Sequence, residues 1–231
     1  MDYWDFLQRP NWVIISFLFE VNYQVQIIMV MLNNVKLDHV TSFGDAVFAF
    51  SITFIAISIQ IPPLPDNLSE LEVVSRMLQL IPQFEMYFTS FVVIGIFWIK
   101  YHLIFNKIKD SQSIMLWLNL ILLFFVTLIS FGTSLRFENQ YTSTFVLYAL
   151  ILTATSSLLS LIWIHATRYN LLKDDNMTNR QKKLYIIQGI IPTLIFASSI
   201  GIAFINLQLA QYVWILIIPS QIFFKRKTHL N

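Results

Sequence analysis

The sequence predicts an all-α polytopic membrane protein with six transmembrane helices and both termini in the cytoplasm. Three observations lead there. Charged residues are 12% of the 231-residue chain and hydrophobic ones 56%, whereas soluble domains carry about 25% charged residues. Six apolar segments follow one another at roughly 40–61, 80–105, 113–135, 143–166, 184–205 and 209–224, and a spanning helix needs about 20 mostly apolar residues. The basic residues also alternate between loops. Lys100, Lys107 and Lys109 follow the second segment, Arg168, Lys173, Arg180, Lys182 and Lys183 the fourth, and Lys225, Arg226 and Lys227 the sixth. The opposite loops hold Arg76 and Arg136 among Asp66, Glu70, Glu72, Glu85 and Glu138. Cytoplasmic loops are the Lys/Arg-rich ones, so the basic loops and both termini fall inside, as an even number of spans requires.

Residues 1–37 form an N-terminal extension or interfacial helix, and residues 38–231 the membrane domain. Asp2 and Asp5 stand where a signal peptide would carry lysines. Glu20, Asn22, Gln24 and Gln26 interrupt the apolar stretch 11–32, which suits an interfacial or packed helix better than a span. Met29 and Met31 are alternative natural starts. The sixth segment is short and contains Pro219, so a kink or early end is expected there.

Composition also excludes functions. The chain has no cysteine, hence no disulfide framework, thiolate nucleophile or Cys-ligated metal. Its +2 net charge is distributed by topology and forms no patch for nucleic acid. The four histidines, His39, His102, His165 and His229, make no H-E-x-x-H pattern. No glycine-rich phosphate loop and no paired carboxylates occur, so neither an enzyme nor a cofactor is indicated.

The first segment carries the most chemistry. It reads HVTSFGDAVFAFSITFIAISIQIP from His39 to Pro62, with Asp45 near its start and no further charge before Asp66. A carboxylate near a membrane helix faces protein or water and points by default to an ion or proton pathway. An interfacial N-cap is the alternative. Ala46, Ala49, Thr53 and Ala56 place small residues at three- and four-residue spacing, which allows close helix packing in lipid. Phe50, Thr53 and Ile57 share one face, and in a symmetric pore that face would give stacked rings. In the second segment Trp98 and His102 lie one turn apart. His102 could relay protons or pair with Asp45. Asn119 is the main polar group of the third segment, and an intramembrane Asn usually bonds between helices. The fourth segment's hydroxyls (Thr153, Thr155, Ser156, Ser157, Ser160) are expected to bond back to backbone carbonyls.

These motifs resemble a known family. His39-x3-Phe43-Gly44-Asp45 followed by AVFAF is similar to the Arg-x3-Phe-Ser-Asp signature that opens the first helix of the transmembrane protein 175 potassium channels. SFVVIGIFWIKYHLIF, from Ser90 to Phe105, resembles that family's second helix, with Trp98 and His102 in place. LWLNLILLFFVTLISFGTSL, from Leu116 to Leu135, resembles its third around Asn119. The resemblance implies a potassium-selective, leak-type channel in the cell (inner) membrane, tetrameric in prokaryotes, whose pore is lined by the first helix of each subunit. It has no re-entrant filter loop, and nothing like Thr-Val-Gly-Tyr-Gly occurs here. Carried over by position, the hydrophobic constriction falls on Phe50, the threonine layer on Thr53 and two further apolar rings on Phe54 and Ile57. Potassium would meet Thr53 only in transit. His39, Phe43, Asp45, Trp98, His102 and Asn119 would form a structural polar network.

The chain departs from the signature at His39 for Arg, Gly44 for Ser and Phe50 for Ile or Leu. His39 weakens an Arg-based network and could make it pH-dependent. Phe50 suits a tighter gate. Potassium ions, membrane lipid and further copies of the chain are the expected partners. A secondary transporter or proton-coupled carrier using Asp45 and His102 is the alternative, with a non-conducting scaffold the third. Carriers show matched broken helices in two halves, and Pro192 and Pro219 have no partners in the first three segments.

Overall fold

In the computed structural model the described residues are 35–57, 68–110, 112–138, 141–173 and 177–221, with positions 16, 19–24, 59, 65 and 223 besides. Five helices there are long and apolar enough to cross a membrane. They are α1 (Leu37–Ile57), α3 (Ile81–Phe105), α4 (Ser113–Glu138), α5 (Thr142–Arg168) and α6 (Asn179–Ala203). The short α2 (Glu70–Leu78) precedes α3, and α7 (Leu207–Tyr212) with a 3-10 turn at Val213–Leu216 follows α6. Of the expected N-terminal helix only positions 16 and 19–24 are described, and they are helical. The terminal cluster Lys225, Arg226 and Lys227 lies outside the described residues.

Local sequence sets the helix starts. Ser69 and Glu72 form a capping box on α2, with the Ser69 N–H and hydroxyl donating to Glu72 Oε2 at 2.9 and 2.7 Å. Thr178 and Gln181 do the same for α6, satisfying amides that a helix start leaves open. Pro82 stands in the first turn of α3, where its missing N–H costs nothing. Asn206 Oδ1 accepts from the Gln208 and Leu209 amides at 3.0 and 3.1 Å and starts α7.

The sixth segment carries its irregularity just before the proline. Residues 217–221, Pro219 among them, are helical, and the tightening falls at Val213–Leu216. A proline ring clashes with the carbonyl four residues earlier, here Ile215, which lies inside the 3-10 turn. The turn before the proline therefore absorbs the defect. Trp214 fixes this segment: its ring stacks on Phe145 at 5.2 Å and its Nε1 donates to Ser199 Oγ at 3.0 Å.

The core sits where α1, α3, α4 and α5 meet. Val40, Gly44, Phe48, Ser51 and Ile55 are the buried residues of α1. They recur at three- and four-residue steps and so form one stripe, packed on α3 and α4. Phe48 meets Tyr101 with ring centroids 5.4 Å apart, and Ser130 donates from α4 to the Ser51 carbonyl at 2.7 Å. Thr153, Thr155, Ser157 and Ser160 of α5 each donate to the carbonyl four residues earlier. Ser156 instead accepts from Thr193 at 2.9 Å, joining α5 to α6.

Two basic loops lie together at one end of the bundle. Ile108 and Leu172 form an antiparallel bridge, with Lys109 N to Leu171 O and Lys173 N to Lys107 O both at 2.8 Å. Asn170 (φ 54°) makes the reversal, a left-handed conformation that Asn tolerates. Loops read from charge alone as sharing a membrane side are thus hydrogen-bonded to each other.

Candidate functional site: the first helix and its polar brace

Helix α1 has two unlike faces. Phe48, on the packed face, is 1% exposed, whereas Phe50 is 61% and Ile57 78% exposed. Phe43, Ala46, Ala49, Phe50, Thr53, Phe54, Ala56 and Ile57 all stand open within the single chain. A face this wide and apolar, left open by α3 and α4, is one that other copies or a conduit would meet. Phe50 and Phe54 lie 5.9 Å apart on it.

Thr53 is the hydroxyl of that face. Its Oγ1 lies 3.1 Å from the Ala49 carbonyl and 2.9 Å from that of Phe50. The single hydroxyl proton is directed back along the helix, leaving the oxygen lone pairs for an acceptor role. A bare cation needs oxygens presented in that sense.

The N-terminal half of α1 is held through Asp45. Trp98 Nε1 donates to Asp45 Oδ1 at 2.8 Å, and His102 Nε2 lies 2.6 Å from the same oxygen. A carboxylate can only accept, so this ring nitrogen carries its proton. The Trp98 and His102 rings meet edge-on at 4.8 Å, as one helical turn allows. Both donors are on α3, so the triad ties α1 to α3 across a half-exposed site.

Below the triad lies a contact that the motif does not name. Tyr101 is fully buried and donates its hydroxyl to the Val40 carbonyl at 3.3 Å. A Cβ built on Gly44 would lie 2.7 Å from Tyr101 Cζ and 2.9 Å from Cε1. Gly44 therefore admits the Tyr101 ring to the α1 backbone, and helix approach in lipid depends on such small residues. The Asn119 side chain is buried on α4 beside Tyr101, and its Oδ1 has no hydrogen-bond partner among the described residues. Of the expected network, Asp45, Trp98 and His102 meet directly, while Asn119 lies beside Tyr101 and not on the carboxylate. His39 and Phe43 are exposed on α1, apart from that oxygen. Tyr101 was legible only as an aromatic in an apolar run, and Gly44 only as a missing hydroxyl.

Residues 39–129 match the family described as "Endosomal/lysosomal potassium channel TMEM175". A potassium channel of Streptomyces collinus is 25% identical over 172 residues, 72% of this chain and 82% of that protein. One from Chamaesiphon minutus is 30% identical over 131 residues, 55% of this chain and 64% of that protein. The crystal structure of a lysosomal potassium-selective channel TMEM175 homolog from Chamaesiphon minutus superposes with a TM-score of 0.67 at 23% identity, covering 83% of this chain and 97% of that one. A variant of the potassium channel MtTMEM175, in complex with a nanobody–MBP fusion protein, gives 0.59 at 20% identity, with 86% and 94% covered. At these identities the two structural likenesses speak to the fold.

Proposed function

We propose, from the premise that this chain is a member of the transmembrane protein 175 family over residues 39–129, that it is a potassium-selective channel of the cell (inner) membrane. It works as a homotetramer around α1. The observation that carries this reading is the open face of α1, on which Phe50, Thr53, Phe54 and Ile57 stand exposed while the opposite face is packed. Four such faces around an axis enclose a narrow apolar path.

Phe50 narrows that path, and hydrophobic rings of this kind gate by dewetting. Thr53, one turn on, presents oxygens to an ion that has shed part of its water. Replacing hydration by a few fixed oxygens disfavours the more strongly hydrated sodium ion. Phe54 and Ile57 extend the apolar wall. Asp45, held by Trp98 and His102, braces the helix and keeps its register. The brace engages Asp45 and His102 with each other at 2.6 Å, which fits an anchor better than the two separate relay groups of a carrier.

Potassium flux into liposomes holding the purified protein tests the reading. A channel gives unitary currents in planar bilayers and rapid dissipative flux. Slow saturating flux would make the protein a carrier, and no flux at all a scaffold.

A further inference from the structure

We propose that a groove between α3 and the last helical segment holds one phospholipid, its phosphodiester on Arg136 and an acyl chain along the apolar wall. The proposal rests on the chain being embedded in a membrane and is independent of which ion passes. Arg136 ends α4 on the side poor in basic residues. It is 8% exposed, and its Nη1 is enclosed without a hydrogen-bond partner among the described residues. The guanidinium lies over the Phe145 ring at 4.7 Å, a partner for its charge but not for the Nη1 N–H groups. A buried cation of this kind calls for an anion.

The space beside it has the shape of an amphiphile. Arg136 lines a groove of 620 Å³ that also touches Glu85, Ile96, Phe97, Lys100 and Phe196. That volume is within the range of about 300–1,000 Å³ usual for ligand sites. Glu85 and Lys100 stand on one continuous helix, so the groove runs roughly 22 Å at 1.5 Å per residue. That is most of the ~30 Å hydrocarbon core. Its middle is apolar: Phe97 and Phe196 face each other at 6.4 Å, and Ile96 is partly exposed at its edge. Lys100, near the end of α3, is long enough to reach the interface.

The chemistry selects the occupant. Guanidinium is the side chain best fitted to two phosphate oxygens, while a free inorganic anion has no use for the apolar length. Glu85 at the groove suits a head group that also carries an ammonium, as phosphatidylethanolamine does. The groove would then hold a lipid that fills a gap between helices and sets a phosphate beside Arg136.

Delipidated full-length protein in detergent gives the test, with dioleoyl-phosphatidylethanolamine as probe and native mass spectrometry and thermal melting as readouts. The expected result is one retained lipid per chain and a raised melting temperature, with neither effect from dioleoylglycerol or inorganic phosphate. Arg136→Gln should weaken retention roughly tenfold or more, the worth of a charge-assisted contact. Ile96→Trp, which fills the groove and keeps Arg136, should abolish it even if Arg136→Gln does not fold. Retention unchanged in Ile96→Trp, or equal stabilisation by dioleoylglycerol, would overturn the proposal. So would loss of the assembled oligomer in lipid-free Ile96→Trp, since a second copy would then be the occupant.

Discussion

Thr53 has its hydroxyl proton directed to the Ala49 and Phe50 carbonyls, so its oxygen can only accept from the open side. Thr53→Val keeps the branched shape and removes that oxygen. Under bi-ionic potassium and sodium conditions the reversal potential should move towards zero. An unmoved potential would place selectivity elsewhere on the path. Asp45 has a different task. Asp45→Asn sets an amide against two N–H donors that now share one carboxylate oxygen. Such losses are worth about 1–3 kcal/mol when buried, and less at this half-exposed site. The protein should melt a few degrees lower with its ion preference kept. Altered preference with unchanged melting would make Asp45 a pore ligand. Gly44→Ala should be the more damaging, because the added methyl meets the Tyr101 ring rather than open space. Overpacking costs typically about 1–3 kcal/mol, and detergent melting curves would show it. At this scale the sequence spoke clearly for Asp45, Trp98 and His102, which sit in motifs. It was silent on Tyr101, whose part depends on a glycine 57 positions earlier lying across a helix interface.

At the scale of elements, α1 is the informative helix. It has two faces: Val40, Gly44, Phe48, Ser51 and Ile55 recur every three or four residues and are buried. Phe50, Thr53 and Ile57 follow the same period on the open side. The open stripe is nevertheless as apolar as the buried one, because lipid, protein and a dewetted pore all accept Phe. Periodicity thus marked the Phe50, Thr53 and Ile57 face and could not say what it meets; the buried stripe emerged only with the packing. If Phe50 forms the proposed constriction, Phe50→Ala should raise unitary conductance. Unchanged current through the intact assembly would move the constriction to another position. The last segment shows the converse limit. Proline marked a defect near 219, but its effect fell at Val213–Leu216, where the clashing carbonyl lies. Arg136 was read only as a loop charge of topological meaning. Its burial beside a groove comes from the packing of α3, α5 and the last segment, which no local pattern encodes.

For the whole molecule, low charge and long apolar runs established a multi-pass helical membrane protein before any geometry was known. Five long helices among the described residues bear that out, and the bridge between the 108 and 172 loops joins two basic stretches at one end. Assembly is the level least visible in one chain, since the face that would meet other copies reads only as exposed Phe and Ile. The central claim is that α1 lines the ion path with its Phe50–Thr53–Ile57 face. The chain contains no cysteine, so a single introduced thiol is unique. Phe50→Cys, Thr53→Cys and Ile57→Cys, with Phe48→Cys and Ile55→Cys on the packed face, can each be treated with a charged thiol reagent during potassium current recording. The account predicts block at positions 50, 53 and 57 and none at 48 and 55. Block confined to the packed face, or none at the open one, would contradict it.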